Sequence, residues 1–379
     1  MDIIFWLLLT TVAYVYIGYP LFILLLSLFV NREIHKEEIE PNITLLITAY
    51  NEEKNILAKL ENTLNLDYPK NKLEIIVASD GSTDKTDTLV STYKDRGVVL
   101  FRVEGRVGKT ETQNKALTIA QGEIIIFSDA TTTYDKLALR KIIRNYVEPS
   151  VGAVSGRYQY FDKKNSQIGK GTITFWDYEN FIKVKQSKIG TITGCCGCIY
   201  SIRKKLYEHL PGDIISDLVE PLKILEKGFR IVFEPDALAY ESTTEDSKEE
   251  FKMRVRVISR GIRGLMYMKQ ILNPFRYGFV SFQLISHKIL RWTIPLFLLG
   301  LFLVNITLLN NSRLYMLFFL FQLLFYTSAI MGWFLEKFKN KSSILSLPLY
   351  FCVVNAASMI ALLKTLFRKK DITWETVRK

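Results

Sequence analysis

Three stretches of this chain are almost free of charge, and they constrain its fold more than any other feature. Ile3 to Val30 holds no charged residue, Trp292 to Phe334 holds only Arg313, and Ser342 to Leu363 holds none. A helix that crosses a bilayer needs about 20 apolar residues in a row, and a charge at the bilayer centre costs about 2.5–3.5 kcal/mol on insertion scales. Runs of this length and purity exclude a wholly soluble chain and a disordered one. They predict an N-terminal transmembrane anchor over residues 1–30 and a C-terminal transmembrane region over 291–365, followed by a basic tail, 366–379. The first run is too long for the core of a signal peptide, and no small-residue cleavage site follows it, so it reads as a retained anchor.

The net charge of +12 suits an anionic membrane surface, a nucleotide or a nucleic acid. For a membrane-attached chain the first two explain it, and no nucleic-acid partner is expected. Cysteine use points to a reducing compartment. Cys195, Cys196 and Cys198 crowd into GCCGC while Cys352 lies in an apolar run, which leaves no sensible disulfide framework. His35, His209 and His287 have no ligand spacing to that cluster, so a zinc site is not expected either.

Between the apolar ends, residues 31–270 alternate short apolar runs with helical periodicity. Ile43–Tyr50, Leu73–Asp80, Val98–Glu104 and Glu123–Asp129 read as buried strands; Glu52–Leu66, Thr83–Asp95 and Lys109–Ala120 read as helices. Such alternation predicts an α/β fold, a mainly parallel sheet with helices on both faces. After Ser150 the expected order is a strand (GAVSGRYQYF), an aromatic-rich helix over Thr172–Lys188, and the GCCGC loop entering a strand. A helix over Ser216–Lys227, a strand pair turning at Pro235-Asp236 and a basic helix over Glu249–Gln270 follow. Residues 271–290 mix aromatic and basic side chains, as an interfacial segment does.

Ligands bind beyond the carboxyl ends of parallel strands, so Tyr50-Asn51-Glu52, Asp80-Gly81-Ser82 and Ser128-Asp129-Ala130 are the first candidates. Carboxylates at two or three strand ends suit the ribose, base and metal of a nucleotide diphosphate, because Mg²⁺ takes one or two carboxylates plus phosphate oxygens. GRVGKT (Gly105–Thr110) invites a phosphate-loop reading, but the motif needs glycine where Val103 stands. Lys109 still sits at a helix start, where it can meet a phosphate as a point charge.

The ordered series AYNEE (Ala49–Glu53), SDGSTD (Ser79–Asp84), GKTETQNKAL (Gly108–Leu117) and FSDA (Phe127–Ala130) resembles the membrane-bound family-2 glycosyltransferases of the GT-A fold. So do GCCGCIYSIRK (Gly194–Lys204), ISDLVEPLKILEKGFRIVFEP (Ile215–Pro235) and RVRVISRG (Arg254–Gly261), and together they cover most of Pro41–Gly264. The resemblance implies an inverting transfer from a nucleotide-sugar, UDP-linked, to a lipid-linked or glycan acceptor. By the same resemblance Tyr50, Glu52 and Asp80 would line the nucleoside pocket and Lys109 would approach the diphosphate. Asp129 would meet ribose and an Mg²⁺ or Mn²⁺ ion. Gly194, Cys195, Cys196, Gly197 and Cys198 would floor the acceptor site, and Trp176 reads either as core or as a sugar platform. Asp217 would be the general base, and Arg254, Arg256 and Arg260 would steady the leaving diphosphate.

Two departures stand out. The second acid of the Asp-x-Asp motif is Thr131 here, and in the Gln-x-x-Arg-Trp motif of processive synthases the Gln and Trp positions hold Met253 and Val257. Two further readings therefore stay open: a processive synthase of the hyaluronan, poly-N-acetylglucosamine or cellulose type, and an inactive nucleotide-sugar-binding subunit of a membrane assembly. A nucleotide-sugar donor implies an integral protein of the cell membrane with its catalytic domain in the cytoplasm. Positive charge flanks both ends of the last apolar run, so that run is expected to be re-entrant or interfacial, with a cytoplasmic tail.

Overall fold

The computed structural model describes residues 1–244, 246–338 and 343–367. Among the described residues, eight strands form one sheet: β1 (Ile43–Ala49), β2 (Leu73–Ser79), β3 (Val98–Arg102), β4 (Ile124–Asp129), β5 (Thr133–Tyr134), β6 (Val151–Phe161), β7 (Ile199–Arg203) and β8 (Arg230–Ser242). Their order is β3-β2-β1-β4-β7-β6-β8-β5. β1 pairs in parallel with β2 and β4, and β2 pairs in parallel with β3, whereas β7 runs antiparallel between β4 and β6. Every residue of β1 is buried, as a central parallel strand covered on both faces requires. Leu45, Leu46 and Ile47 are fully enclosed, and each such side chain contributes about 1.5–3 kcal/mol on burial.

The sheet carries the predicted fold class, with local differences. The second predicted helix is only Thr86–Ser91, followed by a 3₁₀ turn at Lys94–Arg96, and the helix after Gly108 stops at Ala116. The expected strand pair at Pro235-Asp236 is one strand, β8, which pairs in parallel with β6 across a register shift. Proline has no N–H for the ladder and is tolerated at such an irregularity. Here Glu234, beside it, is tied to Arg144 at 3.1 Å and Lys36 at 2.9 Å, so the chain bulges locally without turning back.

Among the described residues, four helices are long and apolar enough to cross a membrane: Asp2–Phe29, Phe279–Thr307, Arg313–Glu336 and Ile344–Leu366. The segment expected to be interfacial over 271–290 is helical from Phe279 onward and continuous with the second of these. That helix has 29 residues, about 43 Å at 1.5 Å per residue. It exceeds the hydrocarbon core of about 30 Å.

The last helix departs from expectation. Ser343–Leu366 is unbroken over 24 residues, not re-entrant, and at about 36 Å it is long enough to cross. Tyr350, near its start, meets Arg254 of the sheet domain, while Asp2 bonds Tyr315 at the opposite end of the bundle. The basic tail beyond residue 367 lies outside the described residues.

Candidate active site

The carboxyl ends of β1, β2 and β4 lie side by side, as the register pairs Ala49 with Ser79 and Thr48 with Asp129. Each strand end places its acid differently. Asp80 is fully buried and accepts hydrogen bonds from the backbone N–H groups of Val107 (2.8 Å) and Gly108 (3.0 Å) and from the Thr112 hydroxyl (2.9 Å). It holds the glycine-containing loop that delivers Lys109. Gly81 makes this possible, because at φ +68° a Cβ there would lie 2.1 Å from the Gly105 carbonyl oxygen. Asp80 does not line the cavity described next, and neither does Tyr50, whose ring lies under the Arg106 guanidinium at 3.9 Å. Both contact the loop at residues 106–108.

A cavity of about 250 Å³ opens at these strand ends. Glu52, Lys109, Asp129, Thr131, Arg256 and Arg260 are among its walls. Lys109 makes an ion pair with Asp129. Burial pushes the Glu52 carboxyl up to about 7, against the pull of the hydrogen bond from Asn55. Arg260, buried on helix Ser247–Tyr267, donates to the Thr110 hydroxyl at 3.1 Å and the Ile214 carbonyl at 2.5 Å. Burial, then neighbouring Arg256, lowers its pKa to about 10.

Thr131, standing where a second acid was expected, donates its hydroxyl to Glu241 at 2.9 Å, and Glu241 lines the same cavity. β8 thus brings a carboxylate to the place that position 131 leaves neutral. Among the described residues no three His, Cys, Asp or Glu side chains come close enough to hold an ion by themselves. The donor set of Asp129 and Glu241 therefore fits a divalent ion that completes its shell with phosphate oxygens, the mode Mg²⁺ favours.

A second cavity, about 370 Å³, lies between the sheet domain and the membrane helices. Trp176, Cys195, Ile215, Asp217, Arg254 and Val257 line both cavities. Asp217 is the one carboxylate on that shared wall among the described residues. It enters on the first turn of helix Ser216–Glu226, and its Oδ1 is buried with no hydrogen-bond partner among the described residues. Burial, the largest influence, raises its pKa, and the charge of Asp129 adds to that, while Lys109, Lys183 and Arg260 pull it down.

The GCCGC loop packs against this carboxylate. Cys195 N donates to the Asp217 carbonyl at 2.9 Å, and a Cβ on Gly197 would fall 2.3 Å from Asp217 Oδ2. Gly194 faces the membrane-side cavity, Gly197 the strand-end cavity and Cys195 both, whereas Cys196 and Cys198 are buried. Burial pushes the Cys195 and Cys198 thiols well up, as expected of packing residues. Trp176 lines both cavities with its Nε1 buried and unpartnered among the described residues, a donor available to a ligand.

Arg254 borders both cavities and makes further bonds. It donates to Glu250 Oε1 at 2.7 Å and to the Tyr350 hydroxyl at 2.6 Å, which fastens the last membrane helix to the sheet domain. Of the three arginines, Arg256 and Arg260 face only the strand-end cavity. Sequence reasoning missed Glu241, Glu179, Lys183 and Arg291. Their signal is contact across large sequence separations, as with Thr131 and Glu241, 110 residues apart.

A mainly parallel α/β sheet whose strand-end cavity is lined by both carboxylates and cations, joined to long apolar helices, has the architecture of GT-A-type glycosyltransferases. A mannosyltransferase from Pyrobaculum calidifontis, solved with GDP-Man and Mn²⁺, shares the fold: TM-score 0.73 over 97% of this chain and 99% of that one, at 21% identity. Residues 44–210 match the family model of glycosyl transferase family 2. It is 30% identical over 237 residues to the poly-beta-1,6-N-acetyl-D-glucosamine synthase of Staphylococcus aureus (61% of this chain, 57% of that protein). It is 28% identical over 230 residues to "Probable glycosyltransferase YdaM" of Bacillus subtilis (57% of this chain, 54% of that protein). The matched part spans little more than half the length of these relatives.

Proposed function

We propose that this protein is a membrane-embedded inverting glycosyltransferase that moves a sugar from a nucleotide-sugar, UDP-linked, to a lipid-linked or glycan acceptor at the cytoplasmic membrane face. The observation that carries this reading is the position of Asp217, the only carboxylate shared by the two cavities among the described residues. The nucleotide-sugar occupies the strand-end cavity and the acceptor enters from the membrane side. Asp217 takes the proton of the acceptor hydroxyl as that oxygen bonds the anomeric carbon from the face opposite the leaving group. The bond from anomeric carbon to diphosphate oxygen breaks, the nucleoside diphosphate leaves with the electron pair, and the configuration inverts.

Charge on the departing diphosphate is the main electrostatic demand. Lys109, Arg256 and Arg260 are the cations positioned to meet it. A divalent ion held by Asp129 and Glu241 would supply further neutralisation there. Glu52, at the end of β1, would hold the nucleoside side, and Trp176 Nε1 would donate to the sugar between the cavities. Release of nucleoside diphosphate from supplied nucleotide-sugars, strictly dependent on acceptor membranes, is the experiment. No release from UDP- or GDP-sugars in the presence of membranes would favour an inactive binding subunit instead.

The similarity to a poly-beta-1,6-N-acetyl-D-glucosamine synthase favours a second reading, processive synthesis. Against it, Met253 and Val257 occupy the Gln and Trp positions of the processive motif, and both line the strand-end cavity. Sizing the product separates the two: one or a few added sugars are expected, and a long polymer made without added acceptor would establish the processive reading.

A further inference from the structure

One buried cation takes no part in the chemistry described above. Lys59, on the helix Ile56–Leu64, is 1% exposed, and its Nζ has no hydrogen-bond partner among the described residues. It does not line the strand-end cavity. Its ammonium group lies over the ring of Tyr134, 4.1 Å from the centroid. An ammonium held away from water with only a ring face to meet it is costly, and the ring offsets part of that cost. A methionine of similar length would fill the place without it, so the feature to explain is the charge.

The surroundings of Tyr134 show what that charge acts on. Asn62, further along the same helix, accepts from the Tyr134 N–H at 2.8 Å and donates to its carbonyl at 2.9 Å. The Tyr134 hydroxyl donates to the carbonyls of Phe127 (3.2 Å) and Cys198 (2.7 Å). Phe127 lies on β4 just before Asp129, and Thr133 pairs with Tyr240, the neighbour of Glu241 on β8. The ring under Lys59 therefore joins the strand that ends in Asp129 to the strand that carries Glu241. Burial lowers the Lys59 pKa to about 7, while Cys198, Asp129 and Glu241 pull it up. Asp129 and Glu241 are the two carboxylates that fit a divalent ion.

Charge balance then decides when an ion can enter. Among the described residues the cavity wall sets four carboxylates against four lysine and arginine cations. With Lys59 behind the wall the balance is positive, and a divalent ion alone gains little there. A nucleoside diphosphate supplies the missing negative charge and can draw Lys109 off Asp129, because Lys109 stands on the cavity wall. Lys59 is enclosed and cannot follow. We infer that Lys59 is the fixed cation that keeps the Asp129–Glu241 pair from loading a divalent ion until a nucleoside diphosphate is present. It touches neither ion nor donor and acts through its charge. The inference rests on the reading of Asp129 and Glu241 as the carboxylates that hold the ion.

The test titrates Mn²⁺ into the full chain in detergent at about pH 6, where Lys59 is charged, and follows free Mn²⁺ by electron paramagnetic resonance with and without UDP. Without UDP, Lys59→Met and Lys59→Ala should each bind Mn²⁺ about tenfold more tightly than wild type, the order expected for one unit charge acting on a divalent ion at the effective dielectric of a protein interior. Melting temperatures separate charge from packing. Methionine fills the space and should melt at or above wild type, whereas alanine leaves a cavity and should melt below the methionine variant. Only a charge effect tightens Mn²⁺ binding in both. Unchanged or weaker binding in both overturns the inference, and so does an affinity that follows melting temperature. Mn²⁺ bound with UDP, and to wild type and variants alike without it, would overturn this inference alone. Mn²⁺ that binds wild type with neither UDP nor GDP present would overturn the carboxylate reading and this inference with it.

Discussion

Replacing Asp217 with asparagine removes one proton-accepting oxygen and almost nothing else. The amide matches the carboxylate in shape, so the close approach of Gly197 survives and the Cys195 amide keeps its backbone acceptor. Oδ1 has no hydrogen-bond partner to lose among the described residues. Loss of a general base costs about 10²–10⁴-fold, and at about 1.36 kcal/mol per decade this is roughly 3–5 kcal/mol of barrier. Donor affinity should change little. The variant removes a negative charge close to Lys109 and Arg260, so nucleoside diphosphate should bind equally or slightly more tightly. The pH profile supplies a second readout. Burial raises the Asp217 pKa above the ordinary 3.8, so the base form is lost, and turnover falls, as pH drops through that raised value. The asparagine variant's residual rate should lack this acid limb. The assay is steady-state release of nucleoside diphosphate over a pH series, with calorimetry for donor binding. Retention of more than a few per cent of wild-type turnover, or an unchanged acid limb, would refute the assignment.

Three other outcomes are expected. Gly197→Ala places a methyl 2.3 Å from Asp217 Oδ2; turnover should fall at least tenfold with donor affinity retained, and equal loss of both would indicate general misfolding instead. Asp129→Asn and Glu241→Gln should each weaken Mn²⁺ binding measured by electron paramagnetic resonance with nucleoside diphosphate present, and an unchanged Mn²⁺ signal in Glu241→Gln would leave Asp129 as sole carboxylate ligand. Burial raises the Glu220 carboxyl to about 8 while Tyr200 donates to it at 3.0 Å. A raised carboxylate pKa means stability is highest below the unfolded value of about 4.5 and is lost as pH rises towards 8, by up to about 1.4 kcal/mol per pH unit. Glu220→Gln should flatten that decline in a thermal-unfolding series from pH 5 to 8, and a parallel decline would contradict it.

The strands that build the site were legible because they are buried on both faces. β1, β2 and β4 are apolar runs with a polar residue at the end, and no other arrangement hides Ile43–Ala49 so completely. Boundaries were less legible where short-range preferences compete with packing. Thr83–Asp95 has helical spacing, yet Asp84 caps Thr86 through both its N–H (3.0 Å) and its hydroxyl, which delays the helix start. β8 looked like two strands because Pro235-Asp236 is turn chemistry; the parallel ladder to β6 resumes beyond it, and that ladder cannot be read from either segment alone.

For the site, roles fixed by local sequence and roles fixed by distant contact separate cleanly. Asp129, Lys109 and Asp217 stand at a strand end or a helix start, so their neighbours in sequence already aim them at the cavity. Asp80 looks the same in sequence but turns inward, because the loop at 107–108 offers it backbone N–H groups that would otherwise be unpaired. Arg254 and Arg256 are two residues apart on one helix, about 200° around its axis, yet both border the strand-end cavity. Arg254 also bonds Glu250 and Tyr350 and ties the last helix to the sheet domain, while Arg256 faces the strand-end cavity alone. That helix joins the two halves of the molecule, because Arg254 borders both cavities and fastens the last helix through Tyr350.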